Sequence, residues 1–177
     1  DLTSGRQVEV GAKQSFGNGK GEWTVAGYQI VKKKLLAPDP INPALSQQIG
    51  QQSSAGVEVS GALSAGDVRI DVNGTVLRAR FDDFAENLGG VLTSRVGNRP
   101  PNVPSRAANL WVTWDTTPAW QLRAGLRYVG ARFWNNANTR EAASYSVIDA
   151  AARRRITEKV ALDLRLFNLF DQLYATT

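Results

Sequence analysis

Hydrophobic and polar positions alternate along most of this chain, most regularly between Arg106 and Trp134. Ala108, Leu110, Val112 and Trp114 interleave with Asn109, Trp111, Thr113 and Asp115. After Thr116-Thr117-Pro118-Ala119, the residues Trp120, Leu122, Ala124, Leu126 and Tyr128 interleave with Gln121, Arg123, Gly125, Arg127 and Val129. A period of two puts one set on each side of a pleated strand, so two long antiparallel strands are predicted, one face apolar and the other mixed. Each runs about ten residues, the length that crosses a bilayer at a tilt.

The same design recurs on both sides of this hairpin. Val8, Val10, Ala12 and Phe16 alternate with Gln7, Glu9, Lys13 and Ser15 before Gly17-Asn18-Gly19-Lys20-Gly21. Those glycines predict a hairpin turn, because a phosphate cradle needs a following helix and Glu22-Trp23-Thr24-Val25 reads as strand. The second strand runs from Trp23 to about Lys33, with neither face cleanly polar: Val25 and Val31 share one parity, Ala26, Tyr28 and Ile30 the other. Lys32-Lys33-Lys34 ends it, and Pro38, Pro40 and Pro43 predict an extended loop to Gln52. Val57, Val59, Gly61 and Leu63 lead through Ser64-Ala65-Gly66-Asp67 into Val68, Ile70, Val72 and Val76. Asp82 to Ser105 is the longest predicted loop. Tyr145 to Arg153 forms a further strand with Ile148, Ala150 and Ala152 outward, and Ile156-Thr157-Glu158-Lys159 turns it into Val160, Leu162, Leu164 and Leu166.

Tight connections thus fall near residues 17, 65, 117 and 157, and longer ones near 43, 93 and 139. The expected fold class is all-β, an antiparallel up-and-down meander of roughly eight strands forming part of a transmembrane β-barrel. Phe16, Trp23, Trp114 and Trp120 gather at the tight-turn end. Phe81, Phe84, Phe133, Trp134, Tyr145, Phe167, Phe170 and Tyr174 gather at the other, as two interfacial aromatic belts would. Trp111 and Tyr28 fall mid-strand, outside this pattern.

Composition narrows the chemistry. The chain of 177 residues has no Cys, His or Met and a net charge of +5. Thiolate and imidazole catalysis and the usual zinc and copper ligands are removed together, and no residue pair suggests bond making, so no enzyme is expected. Asp82, Asp83 and Glu86 lie close in sequence, but not at the spacing of a helix-loop-helix calcium site. No metal site or cofactor is expected. Lysines and arginines are scattered over strands rather than gathered on one helix, which argues against nucleic acid as a partner. Mean hydropathy is −0.28 and no apolar run approaches the length of a membrane helix,. Alternation halves the hydrophobic signal of a barrel strand, so a barrel stays open. A start at Asp1 without a signal peptide reads as a mature or excised piece of something longer.

Gly97-Asn98-Arg99-Pro100-Pro101-Asn102-Val103-Pro104, followed by Ala108-Asn109-Leu110-Trp111, resembles the late barrel of TonB-dependent outer-membrane receptors of the ferric-siderophore type. Leu126-Arg127-Tyr128-Val129-Gly130, Tyr145-Ser146-Val147-Ile148-Asp149-Ala150 and Asn168-Leu169-Phe170-Asp171 with Tyr174 extend the resemblance in order. It implies a Gram-negative outer-membrane location and a large barrel occluded by an N-terminal plug. It also implies import of ferric siderophores driven by the TonB complex. On this reading residues 1–177 are a C-terminal barrel segment without plug, earlier strands or last strand or strands.

The resemblance implies a transported ligand rather than a cofactor. Arg95, Arg99, Arg132, Arg140, Trp134, Asn135 and Asn136 are the candidate ligand contacts on the external loops: guanidinium groups bind anionic oxygens in pairs, and rings stack on catecholates. Arg123, Arg127 and Arg165 would face a plug from the lumen. Outer-membrane lipid and lipopolysaccharide are further expected partners, with Lys32-Lys33-Lys34 placed to meet phosphates at the outer rim. The alternative is a small closed barrel of about eight strands with a structural or adhesion role.

Overall fold

In the computed structural model, which describes residues 3–38 and 46–175, the chain is a single wall of antiparallel strands. Eight strands pair in the order β1 (Ser4–Phe16), β2 (Gly21–Pro38), β3 (Ser46–Ala65), β4 (Val68–Asp83), β7 (Arg106–Thr117), β8 (Trp120–Val129), β11 (Tyr145–Arg155) and β12 (Ala161–Leu166). Two ribbons, β5 (Ala85–Leu88) with β6 (Val91–Ser94) and β9 (Arg132–Phe133) with β10 (Glu141–Ala142), decorate the long-connection end. The meander follows the predicted order. Among the described residues β1 and β12 each pair on one side only, so the sheet is open and the small closed barrel is not formed.

Tight turns are built where the sequence supplies left-handed backbone: Gly17, Asn18 and Gly19 have φ of 60°, 54° and 86°,. The predicted loops are shorter than expected. β2 continues beyond the lysine run, through Lys34 at φ 57°, to Pro38, and β3 already begins at Ser46. A proline is tolerated at Pro38 because it closes the strand, where the missing amide costs no interior ladder bond. Pro40 and Pro43 lie outside the described residues. Residues 82–105 are likewise not all loop. Gly89 and Gly90, both with positive φ, close the β5–β6 hairpin within them.

Register settles which side each residue takes. Val10, Gly27, Val57 and Val76 form one cross-strand row, and Val72 pairs with both Gly61 and Leu110. This places Trp23, Val25 and Val31 of β2 on the apolar face, and Thr24, Ala26 and Tyr28 on the polar one. Cross-strand neighbours decide what the mixed sequence of β2 leaves open. The apolar face stays bare: Val10, Val76, Leu162 and Leu164 are 76%, 60%, 61% and 59% exposed. A wall so unprotected needs lipid on that side.

Phe16, Trp23, Trp114 and Trp120 are all exposed on the apolar face at the tight-turn end, as expected. The second belt is not realised as one set: Trp134, Phe167 and Phe170 are exposed, but four other rings pack together in pairs. Phe81 and Phe84 are buried against each other at 4.8 Å with Leu35 beside them, and Tyr145 stacks on Tyr174 at 4.3 Å. These rings fasten the loops instead of meeting an interface.

The two mid-strand aromatics have their own cause. A Cβ on Gly125 would lie 2.5 Å from the Trp111 ring, and one on Gly56 would lie 2.8 Å from the Tyr28 hydroxyl. Each ring lies across a glycine of the neighbouring strand on the polar face, covering backbone that glycine leaves bare.

Candidate functional site

The long-connection end is organised by two loops, residues 95–105 and 130–144, that bind each other through asparagines. The Asn98 side-chain amide donates to the Asn136 carbonyl at 2.8 Å. Asn138 accepts from the Arg99 amide and donates to the Arg99 carbonyl, both at 2.8 Å. The Asn102 amide donates to the Phe133 carbonyl at 2.8 Å. Asn102 and Asn138 hold φ of 59° and 56°, a conformation asparagine tolerates better than most residues,.

The β5–β6 hairpin is tied in through Glu86. Its carboxylate accepts from Arg95 Nε at 2.7 Å and from the Asn136 side chain, with the Glu86 and Arg95 side chains 11% and 12% exposed.

The predicted loop contacts therefore divide into two groups. Arg95 is neutralised by Glu86 within the junction. Arg99 lies over the Phe133 ring at 5.6 Å with its backbone bound to Asn138. Arg132 is 4% exposed, donates to the Ala175 carbonyl and lies over the Tyr145 ring at 5.8 Å. Asn136 is committed to Glu86 and Asn98. Asn135 caps its own loop, its carbonyl oxygen accepting from the amides of Thr139 at 3.1 Å and Arg140 at 3.2 Å. Trp134, 51% exposed, and Arg140 present free faces to solvent. A loop reading sees charge but not the acceptor that consumes it; that Glu86 closes on residues 9 and 50 positions away is a tertiary fact.

The three candidate carboxylates for calcium are not assembled. Asp82 is held by Gln51 at 3.1 Å, Ser53 at 2.9 Å and Arg80 at 3.0 Å, whereas Glu86 turns to Arg95. Among the described residues no cluster of acids is arranged to hold a metal ion.

Asp82 lies beyond the apolar band, since the outward residues of β4 are Val68, Ile70, Val72, Gly74 and Val76, then Arg78, Arg80 and Asp82. Burial raises the Asp82 pKa, but the hydrogen bonds from Gln51, Ser53 and Arg80, with the Arg80 charge, outweigh it. The net effect holds the carboxyl below its ordinary value of 3.8,.

The polar face carries a second set of groups. Arg69 chelates Asp71 at 2.7 Å, Asn109 donates to Asn73 at 2.9 Å, and Gln121 donates to Asp115 at 2.8 Å. Arg123 lies over the Trp111 ring at 4.5 Å. Both line a concavity of about 340 Å³ with Asp149, Arg153, Asp163 and Arg165. Arg127, opposite Asn109, is exposed on the same face.

A wall with one bare apolar face, one polar face, tight turns at one end and a folded loop assembly at the other has close counterparts. Residues 2–169 match the family described as TonB dependent receptor-like, beta-barrel. The chain belongs to the TonB-dependent receptor β-barrel family. It is 28% identical over 190 residues to the probable TonB-dependent siderophore receptor PiuA of Acinetobacter baumannii, covering 99% of this chain and 24% of that protein. It is 28% identical over 185 residues to the ferrichrome outer membrane transporter/phage receptor of Escherichia coli, covering 99% of this chain and 24% of that protein.

The crystal structure of the siderophore receptor PiuA from Acinetobacter baumannii superposes with a TM-score of 0.82 at 27% identity, over 96% of this chain and 25% of that one. The chain thus spans about a quarter of the length of the relatives it matches. Its place in this family makes the wall an outer-membrane one in a Gram-negative cell and aligns it with transport receptors rather than enzymes. In such barrels the tight turns are periplasmic and the long connections external.

Proposed function

We propose that residues 1–177 are a C-terminal part of the barrel wall of a receptor that binds ferric siderophores and imports them with TonB-coupled energy. Plug, earlier strands and final strand or strands lie outside this chain. The observation that carries the reading is the external loop assembly: a rigid junction from which Trp134 and Arg140 project while Arg95, Arg99, Arg132, Asn135 and Asn136 hold the geometry. An exposed indole beside an exposed guanidinium suits a ligand that is aromatic and anionic at once.

Inside the barrel, Arg123, Arg127 and Arg165 face the space a plug fills, and through that plug the TonB complex acts. Lipid and lipopolysaccharide cover the outward face. The ferric siderophore is cargo, with no resident cofactor in the scheme and no nucleic acid among the partners. In the intact receptor, Trp134→Ala with Arg140→Ala is expected to weaken ferric-siderophore binding about tenfold or more, the scale of one lost stacking and one charged contact. Unchanged affinity by fluorescence quenching would remove both residues from the site.

A further inference from the structure

The polar, lumen-side face is divided by charge. Its β1–β3 side carries Glu9 and Glu58, opposite Tyr28 and Ala26, and among the described residues neither makes an ion pair. Its β8–β12 side carries Arg123, Arg127 and Arg165, all exposed, and these make none either. The acids beside those arginines are already engaged, Asp149 by the Asn168 amide at 2.8 Å and Asp163 by Arg153 at 3.9 Å. An anion in the lumen is therefore drawn to the β8–β12 side and repelled from the other.

Register gives this basic strip its form. β8 turns Arg127, Gly125 and Arg123 to the lumen in succession, and the Trp111 ring fills the place over Gly125. One indole thus lies between two arginine positions about 13 Å apart along the strand. Ala151 of β11 pairs with Arg123 on one side and Arg165 on the other, so a single methyl group separates two arginines on strands about 10 Å apart,. Over so small a residue two guanidinium groups can close on one anion. Ala152, next along β11, pairs on the outward face with Leu122 and Leu164 of the apolar band. The notch therefore lies within the thickness of the membrane, below the external loops.

We infer that Arg127, Trp111, Arg123 and Arg165 form a transit site on the inner wall, holding an aromatic, anionic cargo on its way from the external loops to the periplasm. Trp134 with Arg140 outside, and Trp111 with Arg123 and Arg165 inside, offer the same chemistry: an indole for a ring and guanidinium groups for its oxygens. A cargo leaving the first set meets the second in matched surroundings, which lowers the cost of carrying charge along a wall backed by lipid. Arg153, held by Asp163, closes the strip toward the periplasmic turns. The inference rests on the receptor reading and adds to it a route inside the barrel.

The test uses the intact receptor, in energised cells and purified in detergent, with the iron(III) complex of a tris-catecholate as probe. Arg123→Gln with Arg165→Gln is expected to leave the equilibrium affinity, read by fluorescence quenching, unchanged, because no external contact is removed. TonB-driven uptake of the radiolabelled complex should slow about tenfold, the scale of one charge-assisted contact. Arg123→Lys with Arg165→Lys keeps the charge and should restore most of that rate. Arg165→Gln alone, the milder change, should slow uptake about threefold, and full-rate uptake by it overturns the site however the double variant folds. Lower affinity in detergent also overturns it, because the arginines would then serve initial capture. So does raised conductance of the resting variant in planar bilayers, which assigns them to holding the plug. Absence of probe binding by the unsubstituted receptor defeats the receptor reading, whereas intact binding beside unaltered uptake in the variants defeats the transit site alone.

Discussion

Single residues carry much of the wall's specificity. Trp111 sits on the polar face because Gly125 gives its ring a place to lie, with Arg123 over it. Gly125→Ala is expected to destabilise the intact barrel by about 1–3 kcal/mol, the usual cost of overpacking. Adding Trp111→Ala should recover most of that loss, so a double-mutant cycle in urea refolding should show strong coupling. Additive effects would separate the two residues.

Asp82 is a second residue-scale case. Its pKa is depressed, so its contribution to the outer ends of β3 and β4 is fully present above the ordinary carboxylate value,. That contribution is lost as pH falls through the depressed one. Amide exchange near residues 80–83 should accelerate on acidification across that window, and Asp82→Asn should accelerate it at neutral pH and flatten the dependence.

At the scale of elements, the loops behave as parts of one assembly. Residues 95–105 and 130–144 share asparagine bonds, and β5–β6 joins them through Glu86. Asn138→Ala removes the reciprocal pair with Arg99 and places a Cβ residue without a polar side chain at φ 56°. The expected cost is about 2–4 kcal/mol, summing two hydrogen bonds and left-handed strain. It should appear as faster amide exchange at residues 98–102 and 133–140, with β7 and β8 protected as before. Exchange rising uniformly through those strands would show that the junction is not a separate unit.

The alternation of β7 and β8, with Pro118-Ala119 between them, was legible because both faces obey a period of two. The β5–β6 hairpin was not, although Gly89-Gly90 was its signal, because runs of four residues carry too little periodicity to stand out inside a polar stretch.

For the whole molecule the decisive property is that the sheet is open. Buried hydrophobic residues among those described are only Phe81, Phe84, Ala142 and Val147, so no interior core holds the wall. Its two edge strands carry unpaired backbone groups that lipid cannot satisfy. The isolated 177-residue chain is therefore expected to give no boiling-dependent mobility shift in detergent micelles, whereas the intact receptor should give one. A heat-modifiable band from the isolated chain would show that these strands can close by themselves.

Strand order, the two faces of the regular hairpins and the family were all determined by local patterns: period-two alternation, glycine and proline turns, and motifs in series. Each of these is set within a few residues of chain, which is why a linear reading recovers them. Tertiary structure decided the side taken by β2, whose own residues are ambiguous and whose neighbours β1 and β3 are not. It also decided the fate of the loop arginines. Whether a guanidinium is free for a ligand or spent on the fold depends on an acceptor brought from elsewhere in the chain, such as Glu86 for Arg95 or the Ala175 carbonyl for Arg132. Charge is written in the sequence, but its neutralisation is a matter of distance, and distance is set by packing.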